Sequence, residues 1–426
     1  MRVLLASVGS HGDINPFIAI GRALAARGHD AVLMANPYYK GQIEEAGAGL
    51  RFAPMGEFLD LKLLHQSHPD IMHPRKGFWA VLGMIRDGAR DAFTSITEMA
   101  TGGWVPDVIV HHHICLGAAW AAERLGVARA ATVLAPAMWL AHADTSCMYS
   151  WMPLKQAAVF RWLMLAAARP AMRLLIDRPL HSVRRELGLP PARNLYVSAT
   201  LEGELNLGMW SPTLREPFGI AGGDPPEGVV CGFPWHDRHD EQESSSDEVE
   251  RFLKEGEPPI LFSLGTAAVH VAGDFYQSAA DACAILGRRG LLLVGPGRLP
   301  PARMPEGTRA FEYVPFSRVM PRCAVNVHHG GIGSTGQGMR AGRPTVVIPH
   351  AHDQFDNAAR LKRHGLSATL RRPKVTPASL AMAIRSVLDD PKASERAALV
   401  ARRLADEDGA LRAAIEIERI GGCIRR

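Results

Sequence analysis

Residues able to bind an anion are concentrated in residues 325–339, where two histidines and a glycine-rich turn separate an apolar run from a helical pattern. The run 323–327 predicts a buried parallel strand, and Ser334 predicts the start of a helix. Glycines let the backbone approach an anion closely, and the unpaired N–H groups and dipole of a first helical turn attract it. His328 or His329 could then donate to a phosphate oxygen from the side. A plain tight turn is the alternative, because a glycine pattern alone is a weak signal.

Two further polar residues, Asp353 and Gln354, follow the next predicted strand, residues 344–349. The carboxyl ends of parallel strands share one edge of a sheet, so this strand brings both side chains towards the glycine-rich turn. A carboxylate accepts hydrogen bonds and an amide both donates and accepts them, a combination that suits vicinal sugar hydroxyls. The turn and the hydroxyl clamp together predict a site for a nucleotide sugar.

Two motifs carry a resemblance to a known family, namely His329-Gly-Gly-Ile-Gly-Ser-Thr and His352-Asp-Gln-Phe-Asp-Asn. They resemble the donor signature of the family 1 glycosyltransferases, and residues 9–16 extend the resemblance to essentially the whole chain. Within that family the sequence looks most similar to the bacterial branch of the rhamnolipid rhamnosyltransferases, through residues 273–276, 330–333 and 351–358. The resemblance implies an α/β chain with the GT-B fold, in which two Rossmann-like domains face each other across a cleft.

The same resemblance implies roles for several donor-site residues. Thr266 would contact the donor diphosphate, Tyr313 would stack on the pyrimidine, and the backbone of Val314 would read the base edge. Taken alone, Thr266 could cap a helix and Tyr313 could be a packing residue. Many relatives hold the ribose with an acidic residue where this chain has Gln337, which leaves the choice between UDP and dTDP open. The other donor-site residues are His328, His329, Gly331, Gly333, Ser334, Thr335, Asp353 and Gln354.

A second candidate for chemistry is Asp13, in a predicted loop of residues 9–16 between a strand at 3–8 and a helix at 17–27. A carboxylate there could accept the proton of an acceptor hydroxyl, or it could simply cap the start of the helix. The resemblance places Asp13 where the family has its general base, which is a histidine in many relatives. His11 could itself be the base, could orient Asp13, or could be polar surface.

Three consecutive histidines end the predicted strand at residues 106–113. They do not predict a metal site, because adjacent residues of a strand point to opposite faces and cannot converge on one ion. By the resemblance, His112 occupies the position where relatives with a catalytic histidine carry its aspartate partner. It would either tune Asp13 or line the acceptor pocket.

Composition bounds the class of protein. A chain of 426 residues exceeds what one core normally supports, and 47% hydrophobic with 21% charged residues is typical of a soluble globular protein. The net charge of +5 could favour anionic nucleotide sugars or an acidic membrane surface, but no dense Lys/Arg block predicts nucleic-acid binding. The six cysteines lack C-x-x-C spacing, which predicts neither a zinc site nor a disulfide framework and fits a reducing cytoplasm.

We expect an acceptor-binding domain at residues 1–220, a linker at 221–257, a nucleotide-sugar domain at 258–405, and a helix at 406–426 that packs back on the first domain. No leader peptide and no membrane-spanning run is recognised.

Arg161, Arg169 and Arg173 could mark a basic helix lying on the inner membrane, or an ordinary solvated face. Nearby aromatic and methionine residues could form an adaptable acceptor pocket or ordinary core; they are Trp139, Met148, Tyr149, Trp151, Met152, Phe160, Trp162, Met164 and Met172.

These observations together predict an inverting glycosyltransferase with no cofactor and no required metal ion. It would move a hexose from dTDP-rhamnose or UDP-glucose to a hydroxyl of a hydrophobic small molecule or lipid. The alternatives are a sugar-nucleotide epimerase of the same fold and a nucleotide-sugar-binding protein without activity.

Overall fold

Two parallel β-sheets, each with helices on both faces, form the framework of the protein. The computed structural model describes residues 1–60, 63–64, 67–139, 163, 167, 170, 173–215, 225, 227–237 and 243–423. Parallel strands need crossover connections, which the helices between them provide, and this explains the alternation of strand and helix along the chain. The predicted α/β class is confirmed.

The first sheet has seven described strands, all parallel, in the order β3-β2-β1-β4-β5-β6-β7. They are β1 Arg2–Ala6, β2 Asp30–Ala35, β3 Arg51–Pro54, β4 Val108–His112, β5 Ala128–Val133, β6 Leu205–Gly208 and β7 Gly228–Val230. The strand order reverses beside β1, so a crevice opens between the carboxyl ends of β1 and β4. Such a switch point is where open parallel sheets bind ligands.

The α-helices described around this sheet are α1 His11–Ala26, α2 Lys40–Glu45, α3 Gly77–Thr101, α4 Leu116–Leu125, α5 Arg178–Glu186, α6 Leu195–Leu201 and α7 Pro212–Arg215. Short 3₁₀ helices occur at Pro37–Tyr39, Pro69–Met72 and Pro136–Trp139, and a π-helical turn occurs at Arg173–Asp177. Apolar side chains of alternate residues along β1 and β4 pack on opposite faces of the sheet, which gives one core under α1 and another under α3 and α4.

The second sheet has six described parallel strands in the order β10-β9-β8-β11-β12-β13, with its own switch point between β8 and β11. Its strands are β8 Ile260–Ser263, β9 Gly290–Leu293, β10 Thr308–Phe311, β11 Val325–His328, β12 Thr345–Val347 and β13 Ser367–Thr369. Its helices are α8 Glu243–Lys254, α9 Phe275–Leu286, α10 Phe316–Val319, α11 Ile332–Ala341, α12 Gln354–Arg363, α13 Pro377–Leu388 and α14 Pro391–Leu404. Further 3₁₀ helices are Ala268–Val271, Met320–Arg322 and Arg372–Lys374.

The chain crosses between the two sheets twice. Residues 231–237 leave β7, and the segment after α14 leads back to α15, Gly409–Cys423. Ala413, Ala414 and Ile417 of α15 lie in the core that contains β1 and α1. Glu418 accepts two hydrogen bonds from the Arg27 guanidinium, each 2.7 Å long. The last described helix therefore belongs to the apolar core of the first sheet.

One expected element differs from the structure. Residues 9–16 were predicted as a loop, but α1 already begins at His11. The side chain of Ser10 accepts from the backbone N–H of Gly12, and the side chain of Asp13 accepts from that of Ser10, which is a capping box. Because of this cap, the helix begins six residues earlier than predicted, and Pro16 lies within it.

The segment expected as a linker, residues 221–257, contributes β7 to the first sheet and α8 to the second half, where Val249 and Phe252 are buried beside Leu261 and Leu291. Most residues of the predicted acceptor pocket and two of the predicted basic helix lie outside the described residues. They are Met148, Tyr149, Trp151, Met152, Phe160, Trp162, Met164 and Met172 of the pocket, and Arg161 and Arg169 of the helix. Trp139 is buried against Trp210, with ring centroids 4.8 Å apart. Within the ranges described above, no helix combines the length and the apolar character needed to cross a bilayer.

Candidate active site

Asp13 lies at the switch point of the first sheet, in the first turn of α1. Its Oδ2 atom accepts from the backbone N–H of Ser10 at 2.7 Å and from the Ser10 hydroxyl at 3.0 Å. Gly9 has a φ of +118°, and a Cβ atom built on it would collide with the Asp13 carboxylate. Glycine is therefore required at this position, both for the backbone conformation and for the close approach of the carboxylate.

The other carboxylate oxygen of Asp13 faces His112, which ends β4, the strand next to β1. The distance between Oδ1 of Asp13 and Nε2 of His112 is 3.5 Å, which is long for a hydrogen bond but short for an electrostatic contact. The His112 side chain is 1% exposed, whereas that of Asp13 is 32% exposed and open to a ligand. Burial raises the pKa of Asp13, but His112 and the Ser10 hydrogen bonds outweigh it and leave this pKa below its ordinary value.

His11 contacts residues that follow β2. Its Nδ1 atom lies 2.8 Å from Oε1 of Gln42, and its ring packs edge-on against Tyr39 with centroids 5.1 Å apart. Gln42 in turn donates to Asn15 at 2.6 Å. His11 is thus tied to α2 and the 3₁₀ helix before it, and the structure brings His112, rather than His11, to Asp13.

The glycine-rich turn lies at the switch point of the second sheet. His329 follows β11, and Gly265 follows β8 beside it. The His329 ring fits between two glycines, because a Cβ on Gly265 would collide with the ring and a Cβ on Gly331 would lie 2.5 Å from its Nε2 atom. Gly331 is also the N-cap of α11 and provides no side-chain cap, so the first-turn N–H groups can bind an anion.

The two histidines of the turn have different surroundings. His328 accepts from the backbone N–H of Gly330 at its Nδ1 atom, 3.1 Å away, and thus holds the turn from within. Burial lowers the pKa of His328 to about 4 and holds that of His329 well below its ordinary range, so both rings are neutral at pH 7. The Thr335 hydroxyl donates to the Gly330 carbonyl at 3.3 Å and is fully buried, as is most of Ser334.

Asp353 immediately precedes α12 and is linked to the glycine-rich turn by Asn357. The Asn357 amide nitrogen donates to Oδ2 of Asp353 at 2.7 Å and to the Gly330 carbonyl at 2.9 Å. Gln354 uses its amide oxygen within the protein, where it accepts from the backbone N–H groups of His350 at 2.8 Å and Ala351 at 3.2 Å. Its amide nitrogen is the part of the side chain left for a ligand hydroxyl.

The two half-sites meet across the cleft. His352 adopts a φ of +57°, and its Nε2–H donates to the carbonyl of Ile71 in the other half, 2.9 Å away. Burial raises the pKa of Asp353 to about 7, and the negative charge of Asp13 adds to the rise while the Asn357 hydrogen bond opposes it. Asp13 of one half and Asp353 of the other therefore share one electrostatic environment.

Comparison with known proteins identifies the family. Residues 298–418 match the family model described as Erythromycin biosynthesis protein CIII-like, C-terminal domain. An uncharacterized glycosyltransferase of Mycobacterium leprae is 30% identical over 429 residues, covering 98% of this chain and 96% of the relative. The chain belongs to the family 1 glycosyltransferases. The O-mycaminosyltylonolide 6-deoxyallosyltransferase of Streptomyces fradiae is 29% identical to this glycosyltransferase, covering 98% of this chain and 97% of the relative.

Solved structures share the fold of the glycosyltransferase at lower sequence identity. The glycotransferase of kitacinnamycin superposes with a TM-score of 0.74 at 21% identity, covering 98% of each chain. The spinosyn rhamnosyltransferase SpnG, complexed with thymidine diphosphate, superposes with a TM-score of 0.65 at 19% identity, covering 98% of this chain and 100% of that one. The predicted GT-B fold is confirmed, while the similarity to the rhamnolipid branch stays a prediction.

The other expected donor residues of the glycosyltransferase are spread over the second half of the chain. Thr266 is exposed in the loop that follows β8, and Val314 is buried in the core that contains Phe252, while Tyr313 beside it is half-buried. Gln337 lies on α11 and donates to the carboxylate of Asp237 at 3.2 Å. Thr266 thus follows the strand next to β11 and Gln337 lies on the helix that begins at the glycine-rich turn, whereas Tyr313 and Val314 follow β10, which β9 and β8 separate from β11.

Two residues of this glycosyltransferase site were given no role by sequence reasoning. Asn357 connects Asp353 to the Gly330 carbonyl, and its signal was the i, i+4 spacing from Asp353 at the start of a helix. Asp237 lies 100 residues before its partner Gln337, within a polar run that resembles any surface loop. No local pattern could have paired those two residues.

Proposed function

We propose that this glycosyltransferase moves a hexose from a nucleoside diphosphate sugar to a hydroxyl of a hydrophobic acceptor, with inversion at the anomeric carbon and Asp13 as general base. The placement of Asp13 and the His329 turn carries the proposal. Each lies at the switch point of its own sheet, and the hydrogen bond from His352 to Ile71 joins the two halves beside them. Residues 1–220 would hold the acceptor and residues 258–405 the donor.

In this mechanism the acceptor hydroxyl gives its proton to the Asp13 carboxylate as its oxygen attacks the anomeric carbon. The bond from that carbon to the diphosphate oxygen breaks on the opposite face, which inverts the configuration. The N-terminus of α11 and the N–H group of the neutral His329 stabilise the charge on the departing diphosphate, so the step needs no metal ion. Asp353 and the amide nitrogen of Gln354 hold the sugar hydroxyls.

Thymidine diphosphate sugars of the 6-deoxyhexose class are the donors that we propose. A 6-deoxyallosyltransferase is among the relatives that match the whole chain, and SpnG, which shares the fold, carries thymidine diphosphate and is named a rhamnosyltransferase. The names of the two proteins also refer to O-mycaminosyltylonolide and to spinosyn, which supports a natural product as the acceptor. UDP-glucose is the competing donor.

The experiment is to measure thermal stabilisation of the protein by dTDP, UDP, dTDP-rhamnose and UDP-glucose, followed by donor consumption with and without a macrolide aglycone. Stabilisation rises with ligand concentration over its dissociation constant, so it ranks the nucleotides directly. We expect dTDP and its sugar to stabilise the protein more, and donor to be consumed only with acceptor. Consumption without acceptor would indicate an epimerase or hydrolase, and binding without consumption under any condition would indicate a non-catalytic binder.

A further inference from the structure

Residues 231–237, the first crossing between the two halves, lie along α11, the helix that begins at the glycine-rich turn. A Cβ atom on Gly336 would lie 2.8 Å from the ring of Phe233. The Arg340 guanidinium lies over the ring of Trp235, 4.8 Å from its centroid, and Gln337 donates to Asp237 at 3.2 Å. These contacts occupy consecutive turns of one helix, so they fix the position of the crossing segment relative to the donor site.

One stripe of α11 remains open to a ligand. Gly333 and Arg340 are exposed and Gln337 is half-exposed, whereas Ser334, Thr335, Gly336, Gly338 and Met339 are buried. Gly333 and Gln337 are four residues apart and hence neighbours on one face, about 6 Å apart along the axis. A diphosphate bound at the first turn near Gly333 is joined covalently to the nucleoside ribose, so the ribose comes next to Gln337.

We propose that Asp237 is a donor-binding residue that accepts a hydrogen bond from the 3′-hydroxyl of the nucleoside. The inference rests on the proposed function, because it requires a nucleoside diphosphate at the His329 turn. Gln337 uses its N–H group on Oδ1 of Asp237, which orients the carboxylate and leaves its second oxygen to accept from a hydroxyl. A hydrogen bond from a hydroxyl to a carboxylate is charge-assisted and stronger than one to a neutral amide.

In this arrangement Asp237 provides an acidic group at a site where α11 itself has only the amide of Gln337. The carboxylate comes from the crossing segment instead of from α11, and the aromatic contacts of Phe233 and Trp235 hold it in place. Ribose binding would therefore depend on a segment that connects the two halves, and the nucleotide would contact both the second sheet and the chain that leads into it.

The test combines a protein variant with deletion of a hydroxyl from the ligand. Asp237→Asn retains an oxygen that can accept from Gln337, so the contact between α11 and the crossing segment is preserved. Dissociation constants are measured by calorimetry for thymidine diphosphate and for its 3′-deoxy analogue, or for UDP and 3′-deoxy-UDP if the protein binds UDP more tightly. We expect the variant to lose about tenfold in affinity for the parent nucleotide and less than twofold for the 3′-deoxy analogue.

Equal losses for both nucleotides, or no loss for the parent nucleotide, would overturn the role of Asp237 while leaving the proposed function intact. Trp235→Ala is the matched control, since it loosens the crossing segment without touching the hydroxyl and should weaken both nucleotides alike. Donor kinetics give a second readout, in which Asp237→Asn should raise KM for the donor and leave kcat within about twofold. If the wild-type protein bound neither nucleotide, the proposed function would fail together with this inference.

Discussion

The Nε2 atom of His112 lies 3.5 Å from Oδ1 of Asp13, and the other ring nitrogen of His112 accepts from the backbone N–H of Ile114 at 3.4 Å. Because Nδ1 is an acceptor, Nε2 carries a proton and directs it towards the carboxylate. In the mechanism that we propose, the pair thus reverses the order of a histidine base supported by an aspartate. Here the histidine is buried and the carboxylate is open to the cleft.

Asp13→Asn should abolish transfer and preserve the fold and donor binding. Asparagine keeps an oxygen that can accept from Ser10, so the capping box survives, but it cannot take a proton from the acceptor. We expect kcat to fall by about 10²-fold or more. Nucleotide affinity, measured by calorimetry, should change less than about twofold. Turnover close to that of the wild type would exclude Asp13 as the base. Ser10→Ala, which removes the hydroxyl contacts to Asp13 and Gly12 but keeps the carboxylate, should cost much less.

His112→Leu should shift the acid limb of the pH profile of kcat/KM to higher pH. His112 helps to lower the pKa of Asp13, while burial opposes it. Without His112 the carboxylate keeps its burial and loses the opposing interaction, so it protonates at higher pH and is inactive over a wider acidic range. The measurement is kcat/KM from pH 4 to pH 9. An unchanged acid limb would mean that a group other than Asp13 controls it. His11→Leu is the control and should leave the limb in place.

Gly331→Ala should disturb a contact within the protein, whereas Gly333→Ala should disturb only the contact with the bound nucleotide. A Cβ atom on Gly331 meets the His329 ring, whereas one on Gly333 meets no protein atom within 4 Å. The first variant should lower both Tm and nucleotide affinity, the latter by about tenfold or more. The second should keep the Tm of the ligand-free protein and still weaken the nucleotide, since its methyl group enters the space proposed for the diphosphate. Normal affinity in Gly333→Ala would place the phosphates elsewhere.

Asp353→Asn should become more stable than the wild type as the pH rises. The folded-state pKa of about 7 lies above the ordinary value of 3.8, so the folded protein binds this proton more tightly than the unfolded chain does. That contribution to stability is complete below about pH 4 and is lost as the pH rises through 7. The Tm difference in favour of the variant should therefore grow by ~2 °C or more between pH 5 and pH 8. Asp389→Asn, at an exposed position, should show no such growth.

Much of the fold could be predicted from the sequence because buried parallel strands are short apolar runs with clear ends. The strands predicted at residues 106–113 and 344–349 contain β4, Val108–His112, and β12, Thr345–Val347. The start of α1 was missed because the pattern of apolar residues begins only at Phe17. The helix is in fact set by the hydrogen bonds between Ser10 and Asp13, which carry no apolar signal.

The site was predictable to the extent that its residues follow strands. Asp13 and His112 come at or after the carboxyl ends of strands of the first sheet, and His329 and Asp353 follow strands of the second. The topology of a parallel sheet therefore brings each pair to the carboxyl edge of its own sheet. The orientation of individual side chains could not be predicted from the sequence. The sequence could not show that Gln354 turns its amide oxygen to the backbone, because this depends on the geometry of the turn before α12.

The return of α15 to the first sheet has a consequence for the synthesis of the protein. Arg27 and Glu418, which bind each other, are 391 residues apart in the chain. Part of the core around α1 therefore stays exposed to water on the ribosome until residues of α15 have emerged, after the whole second sheet has been made. A nascent chain that stalls within the second half exposes apolar surface of the kind that leads to aggregation and that chaperones bind.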